Sequence, residues 1–295
     1  MSLIGNFLSP GARIFKLLAY NGTRDELRGL GLVDWLSKRV IPDDPQVLVQ
    51  EVLVEGMDSA WFEPKKRLSD KVMLYFHGGG YCVCSWQTHR SLIGRLSRAA
   101  GMKTLAVNYR LAPENPFPAA IEDGVKAYQF LLQTHAPENI VLGGDSAGGG
   151  LCMGLMLALK QQKISLPSKV IALSPWLDLS VPEEAYTGFL IKDPMLTIPV
   201  LKVWANRYLD TTHPQNPLAS PLYGDLTGLP PILIHVGERE MLLSDTIRFV
   251  EKAREAGVDA HMQLWPGMVH VFQFLHTVMP EAKRSIEELG DFLRK

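Results

Sequence analysis

The chain of 295 residues predicts an α/β fold with a central, mostly parallel eight-stranded sheet and helices on both faces. Three observations carry this. Short apolar runs alternate with helix-like segments through most of the sequence. The runs Thr104–Asn108, Ile140–Leu142, Val170–Leu173 and Ile232–Val236 are rich in branched residues, as parallel strands buried on both faces require. The length suits one large α/β domain or two small ones, and we read residues 1–295 as one.

Val47–Val54 alternates in part and reads as a strand, and Met57–Phe62 is placed to pair with it across Glu55-Gly56. Val72–Phe76 precedes the four branched runs, and Ala260–Leu264 follows them as the last strand. Between them, Thr88–Ala100, Ala119–Thr134, Gly149–Gln162, Ser244–Ala256 and Pro280–Leu293 read as helices. Two segments break the alternation. Residues 1–45 carry amphipathic stretches at Ile14–Tyr20 and Leu30–Val40, and residues 181–223 hold a helix candidate, Ile198–Tyr208, among several prolines. A long insertion after a strand is usually functional, so the two are expected to form a helical cap over the carboxyl ends of the strands.

Composition narrows the function. Hydrophobic residues make up 46% and charged residues 21%, ordinary for a globular protein. A formal net charge of −1 creates no field to recruit nucleic acid. No run approaches the about 20 apolar residues of a membrane span, and the first residues lack the basic leader of a secretory signal. Cys82, Cys84 and Cys152 cannot all pair and have no metal-site spacing. Reduced thiols, a cytoplasmic location and no metal or organic cofactor are the expectation.

The chemistry concentrates in Gly144-Asp145-Ser146-Ala147-Gly148, between an apolar run and a helical one. There the pattern Gly-x-Ser-x-Gly reads as a sharp strand-to-helix turn presenting a nucleophilic serine. Trypsin-like proteases carry a similar Gly-Asp-Ser-Gly-Gly string, but they are all-β and their histidine precedes the serine. A serine needs a base, and the base an orienting acid. Downstream of Ser146 lie His213, His235, His261, His270 and His276. His235 and His261 fall inside strand patterns, His213 in the insertion and His276 in an apolar helical run. His270 follows the last strand, in a loop at the end of the sheet where the serine also sits. After Ile232–Val236 three carboxylates compete: Glu238, Glu240 and Asp245, the last following Ser244, a candidate helix cap. Val72–Phe76 runs into His77-Gly78-Gly79-Gly80, whose bare amides suit an oxyanion hole, with Ala147 N–H as a further donor. His77 precedes the serine and reads as a residue that orders this loop. In the insertion, Phe189, Leu190, Trp204 and Tyr208 are apolar candidates for a substrate pocket, the last two equally for packing.

These pieces, with Tyr109-Arg110-Leu111-Ala112-Pro113-Glu114, Pro116-Phe117-Pro118-Ala119 and Trp265-Pro266-Gly267-Met268-Val269-His270, resemble the hormone-sensitive-lipase-like (family IV) esterases of the α/β-hydrolase superfamily. The resemblance spans residues 45–295. It implies the α/β-hydrolase fold, Ser146 as nucleophile, His270 as base and Gly78, Gly79, Gly80 and Ala147 at the oxyanion hole, Gly79 and Gly80 foremost. The acid falls at Glu240, where many relatives carry Asp in Asp-Pro-Leu and this chain reads Glu240-Met241-Leu242. Asn115, where many relatives have His, and Cys84, where Gly is common, are further departures. The implied substrate is a small carboxylic ester of short to medium acyl length, with no cofactor. The implied assembly is a homodimer paired through the edge of the last strand. The same machinery also suits an amide, a lactone or an acetylated small molecule. Non-catalytic receptors on this scaffold, such as plant gibberellin receptors, have lost the histidine that is present here at 270.

Overall fold

Among the described residues, 43–189 and 193–295 of a computed structural model, eight strands form one sheet. They are β1 (Val47–Val54), β2 (Met57–Pro64), β3 (Val72–Phe76), β4 (Lys103–Val107), β5 (Ile140–Asp145), β6 (Lys169–Leu173), β7 (Ile232–Gly237) and β8 (Ala260–Trp265). Their order is β1-β2-β4-β3-β5-β6-β7-β8, with only the β1–β2 and β2–β4 pairs antiparallel. Every expected strand is present. The amphipathic stretches expected within residues 1–42 lie outside the described residues.

Among the described residues there are six helices of two turns or more: α1 (Trp86–Ala100), α2 (Ala119–Leu132), α3 (Ala147–Gln161), α4 (Ile198–Leu209) and α5 (Leu243–Glu255) between strands, and α6 (Pro280–Arg294) after the last one. Just past β4, Asn108 bonds both the neighbouring strand β2 and the preceding helix α1. Its amide donates to Asp58 O, and its Oδ1 accepts from Trp86 N at the start of α1. A reciprocal Ser85–Thr88 capping box opens α1, and Gly101, at φ 63°, closes it. The expected cap of α5 is not formed. The helix starts at Leu243 with Leu242 before it, and Ser244 lies inside the first turn. Met241 and Leu242 are fully buried, so the chain dives into the core and winds before a polar cap is reached.

Alternate residues of β3 divide the core. Val72, Leu74 and Phe76 face a layer shared with α2, α3 and α5, whereas Met73 and Tyr75 face α1 and α6. Two-sided burial explains why β3, β5 and most of β6 read as unbroken apolar runs. Among the described residues no helix is long and apolar enough to cross a membrane. The parallel strands point their carboxyl ends the same way, so the loops after β3, β5, β6, β7 and β8 gather at one end of the sheet.

Candidate active site

Ser146 sits at the apex between β5 and α3, at φ 51° and ψ −120°. Such a conformation costs about 1–3 kcal/mol and persists only where the surroundings hold it. Here the Ser146 amide donates to Leu173 O of β6, and its carbonyl accepts from Trp176 N and Gly150 N. The flanking glycines are a steric need. A Cβ on Gly148 would lie 2.1 Å from Phe76 O, and one on Gly144 would lie 2.5 Å from the carbonyl carbon of Gly148. No side chain fits either position without moving the backbone.

The loop after β8 brings His270 Nε2 to 3.0 Å from Ser146 Oγ. Its Nδ1 lies 2.7 Å from Glu240 Oε2, in the turn after β7. Ser146, His270 and Glu240 are thus joined in one line, all three buried. The extra methylene of the glutamate is taken up by a fold-back. Glu240 Oε1 accepts from the amide of Gly237, the last residue of β7, and from Ser174 Oγ at 2.8 Å. The competing carboxylates point elsewhere. Glu238 Oε2 accepts from Gly267 N and fastens the loop that leads to His270. Asp245 is fully buried, not the exposed first-turn acid its position suggests. It accepts from Leu177 N, Asp178 N, Tyr186 Oη and Arg248. The other histidines stand apart: His235 is bonded to Ser285 in the core, His261 is exposed and pairs with Asp259, and His213 is exposed in the insertion. His276 follows a short 3-10 turn, not a helical run, and is buried against Ser91.

The glycine loop after β3 needs one correction. Gly78 is not a free donor, because its amide is 3.1 Å from Asp145 Oδ1 and faces His89 Nε2. Gly79 and Gly80 adopt φ of 116° and 60°, which glycine tolerates best. Among the described residues, nothing accepts from their amides or from that of Ala147, the first residue of α3. His77 orders the loop from beneath. It stacks on Tyr109 at 4.5 Å with Nδ1 2.7 Å from Gly78 O, and burial lowers its pKa to about 3, so it stays neutral. Tyr109 Oη donates to His77 O, and Ala112 N donates to Tyr81 O. The stretch from Tyr109 is therefore a prop for the glycine loop.

Sequence reasoning missed Asp145 and Asp193. Asp145, next to the serine, accepts from Tyr75 Oη and Gly78 N and lies 3.2 Å from His89 Nε2. Burial opposes its charge, but His89 and Tyr75 hold the carboxyl below its ordinary range. It locks the serine turn to the glycine loop. Asp193 ties the insertion to the acid turn, accepting from Met195 N and Leu196 N on one side and Met241 N on the other. An acid beside the serine motif was a visible signal for the first; nothing local marked the second. Of the pocket candidates, Trp204 on α4 lies over Gly80, where a Cβ would meet its ring at 2.4 Å. Tyr208 is buried and stacks on Tyr81 at 3.9 Å, so it packs rather than lines an opening. Phe189 ends a short 3-10 turn, and Leu190 lies outside the described residues.

A family model for the alpha/beta hydrolase fold matches residues 73–274. The chain is 39% identical to a crystal structure of an esterase from the bacterial hormone-sensitive lipase family, covering 97% of both chains with a TM-score of 0.91. The chain belongs to that esterase family of the α/β-hydrolase fold. The esterase is 42% identical to an acetyl-hydrolase of Streptomyces hygroscopicus over 82% of this chain and 81% of the relative. It is 37% identical to an esterase of Acinetobacter venetianus over 86% and 84%. It is a carboxylic ester hydrolase.

Electrostatics set a pH expectation for the esterase. Burial lowers the pKa of His270, but the hydrogen bond and charge of Glu240, with Asp193 and Asp145 adding, outweigh it and leave the value raised. A general base works in its neutral form. With His270 as the general base proposed below, activity is expected above the raised pKa and lost as pH falls through it. The acid limb of kcat/KM is expected to have its midpoint above the ordinary histidine value. A pH–rate profile of the free enzyme with a limb below that value contradicts this.

Proposed function

We propose that the chain hydrolyses short- to medium-chain carboxylic esters through an acyl-enzyme, with Ser146 as nucleophile, His270 as general base and Glu240 as orienting acid. The observation that carries this is the unbroken line from Ser146 Oγ to His270 Nε2 at 3.0 Å and from His270 Nδ1 to Glu240 Oε2 at 2.7 Å. Ser146 attacks the ester carbonyl while His270 takes its proton. Glu240 holds Nδ1–H and stabilises the imidazolium. The amides of Gly79, Gly80 and Ala147 receive the oxyanion, each donor worth about 3 kcal/mol in such sites. His270 then protonates the departing alcohol. Water repeats the sequence, giving its proton to His270 and freeing the acid and Ser146.

The preference for small acyl groups is supported by Trp204, whose ring closes over Gly80 and limits the space beside the carbonyl. The described part of the 181–223 insertion reaches this loop through α4 and the acid turn through Asp193, which supports its reading as a cap. The resemblance to an acetyl-hydrolase favours acetyl esters within the same class.

The test is a panel of p-nitrophenyl esters from acetate to palmitate, set beside matched anilides. Acetate to butyrate are expected to give the highest kcat/KM, with long chains and anilides far behind. A maximum at long acyl chains would remove the size argument, and anilide turnover equal to ester turnover would make the enzyme an amidase.

A further inference from the structure

Ser174 takes no part in the mechanism above, yet its side chain bonds to two parts of it. It is the first residue after β6, fully buried, between β5, which leads to Ser146, and β7, which leads to the turn holding Glu240. Its φ of 48° lies in the left-handed region, where glycine or asparagine is the usual choice. Its amide is anchored to His235 O at 2.8 Å. The one hydroxyl does two things. It donates to Glu240 Oε1 at 2.8 Å and accepts from Val271 N at 3.1 Å. Val271 follows His270 directly and is itself held at φ 44°. A single buried oxygen therefore touches the acid and the backbone beside the base.

A glutamate needs such a contact more than an aspartate does. It has one more rotatable bond, and its terminal torsion is soft. With Oε1 held by Ser174 and by the Gly237 amide, the carboxylate plane is set and Oε2 is left to face His270 Nδ1. Without the hydroxyl, Oε1 keeps only the Gly237 amide, and the rotation of the carboxylate against His270 is less restrained.

We propose that Ser174 is a positioning residue for the esterase reaction: its hydroxyl fixes the rotation of the Glu240 carboxylate and holds the His270 loop against it. This rests on Glu240 being the triad acid.

The test uses Ser174→Gly and Ser174→Ala in the full-length enzyme. Both delete the hydroxyl, and glycine also fits φ 48°, so it keeps the experiment readable if the alanine variant folds poorly. Both are expected to lower kcat about tenfold, the effect of one such hydrogen bond to a charged group, with KM within about twofold. The acid limb of kcat/KM should move to lower pH, because a loosened Glu240 supports the imidazolium less and burial of the ring then dominates. In a Glu240→Ala background, Ser174→Gly should cost nothing further. A parental kcat in both variants overturns the inference, as does a lowered kcat with an unmoved acid limb, or an equal loss in the Glu240→Ala background. The reading beneath it fails separately: a Glu240→Ala enzyme with near-parental kcat removes Glu240 as the acid whatever Ser174 does.

Discussion

Replacing Ser146 by alanine is expected to abolish ester hydrolysis and leave the fold intact. The loss in kcat should be on the order of 10⁶-fold, because without a nucleophile the base and oxyanion donors act only on water. The fold should survive for a local reason. Alanine keeps the Cβ that the turn already accommodates at φ 51°, and the backbone bonds to Leu173 O and Trp176 N do not involve the hydroxyl. Among the described residues, the side-chain bond lost is that to His270 Nε2. Turnover of p-nitrophenyl butyrate and the thermal midpoint, measured on the same preparation, check both halves. Substantial turnover in a folded variant excludes the acyl-enzyme mechanism.

The second large effect separates two buried acids five positions apart. Glu240→Gln is expected to lower kcat by up to about 10⁴-fold. The amide keeps the shape, but it no longer fixes the tautomer of His270 or stabilises its charged form. Asp245→Asn is expected to act on stability instead. Asp245 Oδ2 accepts from two backbone amides, and Oδ1 accepts from Tyr186 Oη and Arg248. An amide nitrogen placed at either position faces donors with another donor. Leaving them unmet costs about 1–3 kcal/mol. Denaturant unfolding should show that loss for Asp245→Asn with kcat nearly parental, and the reverse for Glu240→Gln. The opposite ranking in kcat moves the acid to Asp245.

That pair also marks the limit of what is readable without coordinates. Glu238, Glu240 and Asp245 share one short segment after β7, and spacing alone ranks none of them. The turn decides. It folds Glu240 back onto Gly237 and toward His270, points Glu238 at Gly267, and sends Asp245 beneath the chain after β6. The Gly78 amide was misjudged for the same kind of reason. Its acceptor, Asp145, is 67 residues away in sequence and meets it only because β3 and β5 are neighbours. Asp193 and Ser174 were invisible because their partners, Met241, Glu240 and Val271, lie 48, 66 and 97 residues off.

Local pattern was enough for much of the molecule. Two-sided burial leaves its mark as branched apolar runs, so the strands could be read directly. A turn too tight for side chains leaves glycines, so Gly144, Gly148 and the Gly78–Gly80 run marked both the serine turn and the donor loop. Chain order left five histidines after Ser146, and it took the position of His270 in the loop after the last strand, together with the family resemblance, to favour it. What required the folded chain was every relation that crosses strands: which carboxylate meets the imidazole, which glycine amide is already occupied, and which hydroxyl holds the acid. Periodicity and turn chemistry act over a few residues along the chain. Those relations are set by the order β3-β5-β6-β7-β8, which brings loops far apart in sequence to one end of the sheet.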